Sequence, residues 1–79
     1  MASGITIEAA FGAVVREARK LRGFSQEQLA FDSDLDRSFI SQVECGHKQP
    51  SLLTIFQIAK ALDTTPSKLL SDTEQLLNN

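Results

Sequence analysis

Apolar residues recur at spacings of four and three through Ile7, Phe11, Val14, Ala18 and Leu21, the period of one buried helical stripe. Thr6 stands in the capping position, and Gly23 followed by Phe24 marks the stop, the ring supplying the apolar contact that accompanies a glycine turn. Two shorter helices follow within residues 25–46. Ser25 with Gln28 three residues on has the form of a capping box, the hydroxyl taking a backbone N–H and the amide reaching back, so a helix begins at Gln26. Asp36 offers the next N-cap, its carboxylate satisfying orphan N–H groups over a helix spanning 37–44, and Gly46 suits a left-handed stop. Leu29, Ala30, Leu35, Ile40 and Val43 then converge on one small core, with the small Ala30 letting two backbones cross closely.

After Pro50 the run SLLTIFQIAKAL is an amphipathic helix with Leu52, Ile55, Ala59 and Leu62 toward the core and Ile58 beside them. Leu53 and Phe56 widen the stripe beyond what one core requires, the mark of a second apolar contact. Thr65 and Pro66 open a last helix anchored by Leu69 and Leu70, proline being tolerated at a first helical position. The expected architecture is all-α and five-helical: an arm over 1–5, a domain over 6–71 and a tail over 72–79. In that tail only Leu76 and Leu77 argue for order. At 79 residues the chain makes one domain, and by size scaling it buries only about 60% of the surface it exposes when unfolded.

The stretch that carries chemistry is the second short helix. With Ile40 and Val43 turned inward, Arg37, Ser38, Ser41 and Gln42 share the opposite side, a short polar face suited to a major groove. A net charge of −2 and a pI of about 5.2 count against nucleic-acid binding only as totals, because phosphate affinity depends on local charge. Arg16, Arg19, Lys20 and Arg22 cluster on the first helix, and Arg37 and Lys48 flank the second short helix; Asp32, Asp34 and Asp36 lie close to that helix and oppose phosphates where they face them. Phe39 has two readings, packing against the first helix or offering its ring to a thymine methyl, and packing is favoured.

The run SQEQLA, then LDRSFISQVE, a glycine, and PSLLTIFQIAKAL resembles the Cro and lambda-repressor (XRE-type) helix-turn-helix family over about residues 11–70. Within it the LDRSFIS and VE.G pattern is most similar to the controller proteins of restriction-modification systems. The resemblance implies base contacts from Arg37, Ser38, Ser41 and Gln42, and an ion pair between Arg19 and Glu44 that serves architecture. It also implies a phosphate contact at Gln26, where a helix start presents unpaired N–H groups. Ser25, Lys48, Gln49 and Ser51 join Gln26 as phosphate candidates, Lys48 foremost. Asp34 stands where the family often has glycine, and aspartate tolerates the left-handed region. Cys45 stands where the family is usually polar.

The implied function is a transcriptional regulator binding a palindromic operator as a homodimer, with Phe56, Leu69, Leu70, Leu76 and Leu77 as candidates for the dimer contact. Kinship with controllers implies autoregulation, with double-stranded DNA, a second copy of the chain and RNA polymerase as partners. A phage or plasmid repressor, an antitoxin, or an interaction module that has lost DNA binding are the alternatives. No enzyme is expected, since the one histidine, the serines and the aspartates are accounted for by caps and loops and no glycine-rich phosphate loop is present. Cys45 has no second cysteine to pair with, no metal or other cofactor is expected, and His47 reads as an exposed loop residue. No apolar run approaches the roughly 20 residues of a membrane span, and the start lacks the pattern of a signal peptide, so a cytoplasmic location is expected.

Overall fold

A computed structural model of the chain describes residues 4–78. Five helices follow one another: α1 (Ile7–Leu21), α2 (Gln26–Ser33), α3 (Arg37–Glu44), α4 (Leu52–Ala61) and α5 (Pro66–Leu77), with no strand among the described residues. Residues 1–3 of the expected arm and Asn79 of the expected tail lie outside the described residues.

Local chemistry sets the starts and stops. The hydroxyls of Thr6, Ser25, Ser51 and Thr65 accept the N–H three residues on, at 3.0, 3.0, 3.2 and 3.1 Å. Two expectations here are corrected. The Gln28 amide does not reach back to accept the Ser25 N–H and close a capping box; it points down the helix, its Nε2 donating to the charged Asp32 Oδ1 one turn on at 2.9 Å. Asp36 has the extended backbone of an N-cap, yet its carboxylate caps nothing. At the other ends, α1 to α4 share one device. Phe24, Leu35, His47 and Thr64 each return an N–H to the carbonyl five residues earlier, at 3.1, 2.9, 2.9 and 3.0 Å, across a residue of positive φ. In the turn between α2 and α3 that residue is Asp34, at φ 60 and ψ 43.

The core draws on every helix: Phe11 and Val15 from α1, Leu29 and Ala30 from α2, Ile40 and Val43 from α3, Ile58 and Ala59 from α4 with Leu62 at its end, and Leu69 from α5. Phe39 and Leu35 pack against it, which decides the reading of Phe39 for packing. The α1 stripe is rotated from the expected one. Ile7 and Leu21 are exposed and Val14 and Ala18 only half-buried, while Ala10, Phe11, Gly12, Val15 and Arg19 face inward. The cause is Gly12, where an added Cβ would collide with the Val43 carbonyl oxygen and come within 2.8 Å of that of Glu44. The end of α3 presses on α1 there, so the absence of a side chain selects the buried face.

Three further assignments move. Leu52, expected in the core, is 68% exposed in the first turn of α4, and Ile58, expected beside the core, is fully buried. The body of α4, rather than its first turn, meets α2 and α5. The expected boundary at residue 72 falls inside α5, which continues to Leu77 against α1, burying Thr73 and half-burying Leu76 and Leu77.

Gly12→Ala is expected to destabilise the fold by about 2 kcal/mol or more, the cost of forcing a methyl into packed backbone. Asp34→Gly should hold or gain stability within about 1 kcal/mol, while Asp34→Val should lose about 1–2 kcal/mol from left-handed strain. Urea unfolding monitored by far-UV circular dichroism measures all three.

Candidate nucleic-acid interface

The helix pair α2 and α3 is held from three sides: the two pack on each other, α1 supports α3, and α4 supports α2. A side-chain bond reinforces the last contact, Gln57 Nε2 donating to the Ser33 carbonyl at the end of α2 at 3.1 Å. With Ile40, Val43 and Glu44 buried, the outer side of α3 falls to Arg37, Ser38 and Gln42, all exposed, and to Ser41, half-buried. The structure thus brings the four expected base-reading side chains to one face. The spacing i, i+1, i+4, i+5 makes that face a single strip along the rod.

Glu44, at the last turn of α3, is the anchor. Arg19 approaches it with two parallel bonds, Nε to Oε2 at 2.7 Å and Nη2 to Oε1 at 3.0 Å, and its Nη1 donates to the Phe24 carbonyl at 2.8 Å. The hydrogen-bonded carboxylate raises the Arg19 pKa against the opposing effect of burial, so the guanidinium stays charged. Gln26 Nε2 adds a third donor, reaching Glu44 Oε1 at 3.1 Å. One carboxylate therefore ties α1, the turn after it, the first residue of α2 and the end of α3. Sequence reading placed Arg19 and Glu44 together but missed that Gln26 joins them, because nothing local links side chains 18 positions apart.

The expected phosphate contacts have differing freedom. Lys48 and Gln49 are exposed on the loop that leaves α3, and Lys48 has no ion pair among the described residues. Ser25 and Ser51 are exposed, each with its hydroxyl engaged as a cap. Gln26 is half-buried with its amide nitrogen turned to Glu44, which leaves its backbone N–H at the start of α2. Asp32, Asp34, Asp36, Cys45 and His47 are exposed around this face.

Of the expected dimer residues, Leu69 is corrected: it is 1% exposed and belongs to the core. Phe56 and Leu70 are exposed, and Leu52 and Leu53, not expected there, are exposed beside Phe56 on the outer side of α4. Ile7, Phe11, Ile55 and Leu70 line one cleft with Glu8, Gln49, Pro50 and Thr73, where α1, α4 and α5 meet. Among the described residues no group of side chains could hold a metal ion, and no helix is long and apolar enough to cross a membrane.

The helix-turn-helix family model matches residues 15–69, most of the chain, so the chain belongs to the helix-turn-helix family. Its relatives narrow the class to the control proteins. Control protein C.BamHI of Bacillus amyloliquefaciens is 45% identical over 64 residues, which cover 80% of this chain and 79% of that protein. The crystal structure of the restriction-modification controller protein C.AhdI from Aeromonas hydrophila superposes with a TM-score of 0.76 at 48% identity, over 77% of this chain and 92% of that one. A variant of C.Esp1396I bound to its highest-affinity operator site superposes with a TM-score of 0.85 at 25% identity, over 92% and 96% of the two chains.

Glu44→Gln or Arg19→Met alone should cost about 3–5 kcal/mol by leaving one buried charge unpaired, and the double substitution should cost less than the sum. A double-mutant cycle by urea denaturation checks this, and additive losses would contradict the clamp.

Proposed function

We propose that this protein is a sequence-specific DNA-binding transcriptional regulator that acts as a homodimer on a palindromic operator, as an autoregulating restriction-modification controller in the cytoplasm. The observation that carries the reading is the outward strip of Arg37, Ser38, Ser41 and Gln42, set on a helix whose rear is fixed by Glu44. Such a strip reads base edges: arginine pairs bidentately with guanine and glutamine with adenine, each good pair worth about 1–3 kcal/mol of discrimination, and serine is less selective. Lys48, Gln49 and the helix starts at Ser25, Gln26 and Ser51 set the register on the phosphates.

One such helix reads too few base pairs to be selective. Two related by a dyad read half-sites one helical turn apart, roughly 34 Å. The exposed Leu52, Leu53, Phe56 and Leu70 supply an apolar face for that pairing. The kinship with C.BamHI and C.AhdI supports control of restriction-modification genes, with RNA polymerase as the partner where binding activates.

Selection of bound sequences from a random duplex pool should return a palindrome. Arg37→Ala should flatten the preference at one position of each half-site, whereas Lys48→Ala should weaken binding uniformly across sequences. An asymmetric or absent consensus would overturn the reading. Phe56→Asp should raise the dimer Kd by at least about 30-fold, the scale of an interface hot spot, as measured by sedimentation equilibrium.

A further inference from the structure

The oxygen of Glu44 nearest Arg16, Oε1, already accepts two hydrogen bonds. Arg19 takes Oε2 at 2.7 Å, and Arg19 and Gln26 share Oε1 at 3.0 and 3.1 Å. Arg16 Nε stands 3.9 Å from Oε1, beyond hydrogen-bonding distance, with its side chain 56% exposed while that of Glu44 is 1% exposed. Two guanidinium groups therefore face one carboxylate, and the surplus positive charge sits on the exposed one. Arg22 is matched by Asp63 and Lys68 by Asp72, but Arg16 has no second ion-pair partner among the described residues.

The place of that surplus matters. Arg16 and Gln26 converge on the same oxygen of Glu44, so the Arg16 guanidinium stands at the junction of α1, the start of α2 and the end of α3. Arginine carries five donors in a planar fork suited to phosphate oxygens, and Arg16 Nε stops 3.9 Å short of Glu44 Oε1, beyond hydrogen-bonding distance. The acidic Asp32, Asp34 and Asp36 lie toward the opposite end of α3 from Glu44 and Arg16.

We infer that Arg16 is a backbone-phosphate contact of the DNA interface, a positioning residue that adds affinity without reading sequence. The inference rests on the DNA-binding reading above and picks one residue out of the basic cluster of the first helix.

The test titrates a labelled duplex carrying the selected palindrome, and a random-sequence duplex, with wild type, Arg16→Gln and Arg16→Lys. Salt is varied between about 50 and 200 mM, the range in which phosphate contacts dominate the response. Arg16→Gln is expected to make the slope of log K against log salt shallower by about 0.9 per protomer, about 1.8 per dimer, and to weaken binding to both duplexes by a similar factor. Arg16→Lys should keep the wild-type slope, and both variants should keep the wild-type thermal midpoint. An Arg16→Gln protein with unchanged slope and affinity overturns the inference, as does one whose weaker binding is accompanied by a lowered thermal midpoint, which would assign Arg16 to the fold. Wild type that binds neither duplex overturns the DNA-binding reading itself, and the inference with it, and is told apart from the first result by that control.

Discussion

The bond between Arg19 and Glu44 decides how α3 stands. A carboxylate brought inside a small protein needs hydrogen-bond donors, and this one is met along one edge of a guanidinium, through Nε and Nη2, and by the Gln26 amide. The same guanidinium holds the Phe24 carbonyl, while the Arg19 carbonyl receives the Phe24 N–H at 3.1 Å, so α1, its terminating turn and α3 are locked together. A buried pair of this kind is weak evidence for net stability. Its contribution is geometric: with Glu44 fixed, the rotation of α3 is fixed, and the opposite strip must face out.

That bond forms only because two backbones come unusually close. Gly12 leaves room for the last carbonyls of α3, and Gly46, at φ +77, turns the chain where an added Cβ would lie 2.9 Å from Ala9 Cα. Both contacts press the end of α3 on the first half of α1. The depth of that seat brings Glu44 down to Arg19, one turn of helix beyond Arg16, so packing and electrostatics specify one arrangement.

What the sequence made legible was mostly local. The caps at Thr6, Ser25 and Thr65, the stops at Gly23, Asp34 and Gly46 and the polar strip of α3 depend on residues within a few positions of one another, and chemistry at that range is the same before and after folding. The misplacements share another cause. Ile7, Leu21 and Leu52 fit an apolar period, but a period does not say which turns of a helix extend past their neighbours. Leu69 looked available for a partner because nothing along the chain reveals that α5 lies on α1. Asp36 had the right identity for a cap, and only the side-chain rotamer in the folded chain shows that it makes none. The Arg19 and Glu44 pairing was reached through family resemblance; Gln26 escaped because its amide had a credible role elsewhere.

The uncapped start at Asp36 gives α3 a mechanical asymmetry. Its rear is bolted at Glu44, while its leading turn, bearing Arg37 and Ser38, begins without a side-chain brace. A short rod clamped at one end yields most at its tip. Arg37 and Ser38 therefore sit on the most compliant part of the element, and rigidity increases toward Glu44, as in a stylus held firmly at the shank.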